Sequence, residues 1–150
     1  MGSYTNTNKN GKSDEGLTES ENEKIIGKIV ELANLRKLDE MLEYFTDDVT
    51  AQAAGGEKRD KKGIREMFEG SFPIWSDSIY RVDRMISKGD TVVAEVHWTG
   101  VHTGEDYAGI PATGKRVEMV AVWIVDFKDG KVKVFKVFYN PDMGVQQLQE

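Results

Sequence analysis

The chain has 150 residues, 39% hydrophobic and 31% charged, which is room for one globular domain and too apolar for a wholly disordered protein. Twenty-six acidic residues against 20 basic leave a formal net charge of -6, so nucleic acid is not an expected partner. With no cysteine and 2 histidines there is no disulfide framework, no thiol chemistry and no convincing zinc site, so no metal is expected.

Residues 1–16, MGSYTNTNKNGKSDEG, offer one aromatic and nothing to bury, and read as a disordered tail before a domain spanning residues 17–150. No apolar run approaches the roughly 18 residues of a membrane span, and the N-terminus lacks a signal peptide's apolar stretch, so no membrane partner and a cytoplasmic location are expected. Thr18 or Ser20 supplies an N-cap with Glu21 or Glu23 at capping-box spacing. Ile25, Ile26, Ile29, Val30, Leu32 and Ala33 then recur at helical steps, predicting a long first helix. A short second helix is predicted over Leu38 to Phe45, and TDDVTAQA switches to an extended run. A third helix surrounds Ile64, Met67 and Phe68 and stops at Gly70 and Pro73.

Beyond that point the pattern becomes β-rich. Strands are predicted near Ile79 to Ser87, Thr91 to Thr103, Lys115 to Phe127 and Val132 to Asn140, with turn chemistry in KGD at Lys88 and KDG at Lys128. Helices followed by a strand meander give an α+β domain, about three helices packed on one face of a mostly antiparallel sheet. Between the middle strands GIPATGK, from Gly109 to Lys115, sets two glycines and a proline where the backbone must reverse.

The segments GKIVELANLRKLDEMLEYFTDDVT, GVHTGEDYAGIPATGKRVEM and DGKVKVFKVFYNPDMGVQQL resemble, in this order, the SnoaL-like polyketide cyclase branch of the nuclear-transport-factor-like superfamily. The resemblance covers about residues 20 to 149. It implies a cone in which a curved sheet wraps three helices and leaves an apolar pocket at the open end, with the Gly109 to Lys115 loop shaping the mouth. It also implies a homodimer formed through the outer face of the sheet.

Within that implied cone, strand parity sorts the chemistry-bearing residues. Val92, Ala94, Val96 and Trp98 share a face whose parity leads to His102, while Glu95 and His97 fall on the other. The family's usual acid/base aspartate aligns with Asn140, which has no proton to exchange but can hydrogen-bond a carbonyl. His102 and Asp142 are therefore the titratable candidates, with Asn140 orienting a carbonyl; a surface or helix-cap carboxylate for Asp142 and a place without chemistry for His102 are the alternatives. Ile29 and Ala53 stand where ketosteroid isomerases carry a tyrosine and an aspartate, and the strand near Val96 lacks the Arg and Asp of limonene epoxide hydrolases. Trp98, Trp123, Phe138 and Tyr139 are the expected contacts for a small apolar or aromatic ligand, and Trp75, Tyr80 and Tyr107 share its wall or fill the core. The basic run EKRDKKGIR reads as a solvated helix start, with steering of an anionic substrate as the alternative. Two functions follow: a cofactor-free cyclase or isomerase acting by acid/base chemistry, or a non-catalytic binding protein on the same scaffold. A carboxylate or imidazole facing the cavity favours the enzyme.

Overall fold

Thr18 starts the first helix as its composition requires. Its hydroxyl accepts the Glu21 N–H at 2.9 Å while the Glu21 carboxylate accepts the Thr18 N–H at 2.9 Å, a complete capping box at the head of α1 (Glu19–Asn34). The computed structural model describes residues 18–53 and 56–150, so the tail expected over residues 1–16 lies outside the described residues. Helix α2 (Leu38–Leu42) is shorter than the sequence suggested, and Phe45 opens β1 (Phe45–Gln52) instead of closing a helix. Phe45 is inward under either reading, and its ring meets Phe135 edge-on at 5.7 Å. After the two-residue β2 (Lys58–Arg59), Asp60 caps α3 (Lys61–Glu69) by accepting the Gly63 N–H at 2.8 Å, and Gly70 ends it.

The four long strands are β3 (Trp75–Lys88), β4 (Thr91–His102), β5 (Arg116–Lys128) and β6 (Lys131–Phe138), and α4 (Asp142–Leu148) follows. Asp129 and Gly130 turn the β5–β6 hairpin with both φ angles positive, at 51° and 80°, as a type I′ turn demands. The sheet order is β2-β1-β6-β5-β4-β3, so the sheet is open, with β2 and β3 at its edges. The meander from β3 to β6 is antiparallel, but β1 runs parallel to β6. The sheet is thus mixed, because the chain leaves β1 through β2 and α3 and re-enters at the opposite edge.

Burial decides which face of the sheet is covered. Along β4, Val92, Ala94, Val96, Trp98, Gly100 and His102 are all buried and their odd-numbered neighbours are all partly exposed. Two apolar clusters result. The larger joins Ile26, Ile29, Met41, Ile64 and Phe68 of the helices to Val96, Trp123, Val125 and Phe135 of the sheet. The smaller joins Trp75, Trp98 and Val117 to Leu148 of α4. No helix among the described residues is long and apolar enough to cross a membrane.

Candidate functional site

Between the two clusters lies a cavity of about 350 Å³, within the size range of small-molecule sites. Phe68, Trp123, Phe135 and Val96 of the larger cluster face it from one side, and Trp75, Trp98, Tyr107 and Met119 from the other. The rings are held by one another: Trp75 meets Trp98 at 5.1 Å and 82°, and Trp123 meets Phe135 at 5.1 Å and 75°. Gly100 makes room for this packing. A Cβ there would lie 2.7 Å from the far edge of the Trp98 ring and 3.1 Å from the Trp75 Cβ. Gly144 does the same for α4, which passes close over Tyr107: a Cβ would stand 3.2 Å from that ring.

The polar groups of the lining are few. Tyr80, Tyr107 and Tyr139 bring phenols, Ser71 a hydroxyl, and Arg59 is the one charged side chain among the described lining residues. Burial pushes the Tyr80 phenol up to about 12, and nearby Tyr139 adds to the rise while the Ser71 hydroxyl opposes it. Tyr80 is therefore a neutral hydroxyl at physiological pH. Burial also raises Tyr107, with smaller contributions from Tyr139 and Asp142. Asn34, the last residue of α1, fixes Tyr80 from outside the cavity. Its amide donates to the Tyr80 carbonyl at 2.9 Å and accepts the Tyr80 N–H at 2.8 Å, so the exposed edge of β3 is tied to the helix just where it carries the phenol.

The structure does not gather the expected catalytic residues on this cavity. His102 is fully buried, but behind Trp75, whose ring centroid is 5.1 Å from its own. Both its ring nitrogens are engaged. Nε2 lies 3.1 Å from the Glu105 carbonyl, which can only accept, so Nε2 carries the hydrogen; Nδ1 then accepts from the Thr113 N–H at 3.3 Å and the Thr113 hydroxyl at 3.2 Å. The His102 backbone completes the arrangement, its N–H reaching the Lys115 carbonyl at 2.8 Å and its carbonyl receiving the Gly114 N–H at 2.7 Å. His102 is thus the post around which the glycine-rich loop closes, and that loop in turn carries Tyr107 to the cavity. Tyr107 and Ile110 bracket a two-residue turn in which Ala108 and Gly109 both have positive φ, 51° and 79°.

Asn140 and Asp142 are exposed and do not line the cavity. The Asn140 side chain accepts the Asp142 N–H at 3.0 Å and so closes the start of α4; Asn140 shares the parity of the outward Phe138 and not of the inward Val137 and Tyr139, and Pro141 then ends the extended chain. Trp98, Trp123 and Tyr139 do line the cavity. Phe138 does not: it stands between the inward Val137 and Tyr139 and projects from the outer face, 46% exposed. His97 shares the outer face, near Asp83 and Glu118 at 3.8 and 3.9 Å rather than beside Glu95, which lies 3.7 Å from Arg84. Sequence reasoning passed over Ser71, Asn34 and the individual place of Arg59. The run around Arg59 was visible as charge, but its path into an apolar cavity depends on β2 pairing with β1.

The sequence matches the family model described as SnoaL-like polyketide cyclase over residues 23–147. Among solved structures the chain is similar to AclR, a candidate hydroxylase from Streptomyces galilaeus, at 20% identity and a TM-score of 0.79, covering 88% of this chain and 83% of that one. It is similar to IdmH, a candidate polyketide cyclase from Streptomyces antibioticus, at 22% identity and a TM-score of 0.79, covering 86% and 99%. A LEH-like epoxide hydrolase from M. tuberculosis superposes with a TM-score of 0.68 at 11% identity, covering 87% and 91%. Similarities this distant carry the fold and leave activity to be argued from the site. Comparison with curated protein sequences finds no match.

Proposed function

The chain belongs to the SnoaL-like polyketide cyclase family, and on that premise we propose that it binds a small, mainly aromatic molecule in its cavity and polarises a carbonyl of that molecule with neutral hydroxyl groups. One observation carries this reading: among the described lining residues there is neither a carboxylate nor an imidazole, while Tyr80, Tyr107, Tyr139 and Ser71 stand among tryptophan rings. Phenols that stay protonated donate hydrogen bonds without competing for a proton, and in an apolar surround such bonds are strengthened. Trp98, Trp123 and Tyr139 supply ring contacts.

Family membership favours a second reading, in which the same hydroxyls stabilise an enolate oxygen during a cofactor-free cyclisation or isomerisation. The proton would then leave to solvent, since His102, Asp142 and Asn140 stand away from the lining. We also infer a homodimer through the outer face of the sheet, supported by Val120, Val122 and Phe138, all large apolar side chains exposed there.

The binding reading is tested with 2-acetylnaphthalene and naphthalene, followed by quenching of tryptophan fluorescence. The ketone is expected to bind, and Tyr80→Phe to weaken it about tenfold, the worth of one neutral hydrogen bond in an apolar site. Naphthalene should bind both proteins alike. A ketone that binds no better than naphthalene, or with no dependence on Tyr80, rules out carbonyl polarisation at this position.

A further inference from the structure

We propose, building on that reading of the cavity, that its ligand is an aromatic carboxylate whose anionic group is held by Arg59. Arg59 is the one charged side chain among the described lining residues of an otherwise apolar and hydroxyl-bearing cavity. Its Nε is hidden from solvent and has no hydrogen-bond partner among the described residues. The carboxylate paired with Arg59 leaves that donor free: Glu57, 71% exposed, meets Nη2, at 3.2 Å, and not Nε. A buried donor without an acceptor is costly, and a guanidinium offers a planar fork suited to a carboxylate.

The side chain is also held in place. Arg59 pairs with Ala51 in the β1–β2 ladder, and its stem crosses the first turn of α3, where only glycine fits: a Cβ on Gly63 would lie 2.7 Å from the Arg59 Cβ and 3.2 Å from its Cγ. Placement within the sheet then defines the ligand further. Arg59 enters the cavity from β2 and Tyr80 from β3, the two opposite edges of the six-strand sheet, with Phe135, Trp123 and Val96 on the strands between. A molecule that satisfies both ends has its carboxylate and its carbonyl on opposite sides of a ring system.

The test compares 6-acetyl-2-naphthoate, its methyl ester and 2-acetylnaphthalene by fluorescence quenching and by the rise in melting temperature. In the unmodified protein the acid is expected to bind at least tenfold more tightly than the ester, with the preference shrinking as salt is added and lost when the carboxyl is protonated. Arg59→Met should bring the acid down to the level of the ester, and Arg59→Lys should retain part of the preference. Far-ultraviolet circular dichroism and the melting temperature check that both variants fold, and the acid-to-ester ratio in the unmodified protein needs no variant. Equal binding of acid and ester overturns the role of Arg59 while leaving the aromatic reading intact. If none of the three probes binds, both readings fall.

Discussion

Tyr80 shows how burial changes what a residue can do. In the unfolded chain its phenol ionises near 10.0, whereas in the folded protein it keeps its proton to about 12. The protonated folded state is therefore favoured in full below pH 10, and that stabilisation is lost as pH rises towards 12, because the unfolded phenol gives up its proton first. A shift of this size is worth about 3 kcal/mol. Urea denaturation at fixed pH should show stability falling steeply between pH 10 and pH 12, and falling less in Tyr80→Phe; parallel curves would remove Tyr80 from the account. His102 illustrates a different change of role. Strand parity put it correctly beside Trp98 on the covered face, but its partners Glu105 and Thr113 arrive from a loop whose path parity does not trace. Removing the ring in His102→Ala leaves loop groups unpaired and takes one of three packed rings from Trp75, for an expected loss of about 2–4 kcal/mol. Asp142→Asn, at an exposed position, should stay within about 0.5 kcal/mol. Denaturant midpoints for the two variants separate a loop post from a surface carboxylate.

At the scale of elements, two side-chain amides finish what the strands leave undone. Asn34 pairs with both backbone groups of Tyr80 along the free edge of β3. Gln147 of α4 does the same for Glu118, accepting its N–H at 2.8 Å and donating to its carbonyl at 2.6 Å, on a stretch of β5 that β6 does not reach because their ladder begins at Val122. Each amide presents one donor and one acceptor to the strand, as a neighbouring strand does. Asn34→Leu should cost about 1–3 kcal/mol by leaving two backbone groups unpaired, and should weaken ketone binding as Tyr80 loses its anchor. A variant that binds 2-acetylnaphthalene with unchanged affinity would confine Asn34 to stability alone. Asn22 gives the opposite expectation. It is buried in α1 with neither amide atom bonded among the described residues, so Asn22→Leu should raise stability by about 1–2 kcal/mol in a denaturant titration. Apolar periodicity was enough to locate α1, α3 and the long strands to within a few residues. It could not show the short β2 or the parallel β1–β6 pair, since neither depends on local pattern, and it said nothing of amides whose partners lie 46 and 29 residues away.

For the whole molecule, the open sheet separates two surfaces by a single step of parity. Val137 and Tyr139 face the cavity, while Phe138 between them faces outward, so the two adjacent residues expected as ligand contacts, Phe138 and Tyr139, fall on opposite faces. On the outer face Phe138 sits directly across from Val122, and Val120 lies across from His97 on β4, so the exposed apolar side chains are neighbours and not scattered singly. Arg81, Glu95 and Glu118 surround them on the same face, giving the apolar centre and charged rim of an association surface. If this face pairs two copies, a charge set at its centre opposes burial and has no partner there. Phe138→Asp and Val122→Lys are each expected to shift the protein from dimer to monomer in sedimentation velocity at micromolar concentration. The unmodified protein should melt at a temperature that rises with concentration, a dependence the variants lose. Both substitutions point away from the cavity, so affinity for 2-acetylnaphthalene should survive in the monomers. An unmodified chain that sediments as a monomer at every concentration would leave the outer face without this role, and a loss of ketone binding on dissociation would mean that the cavity depends on the second copy.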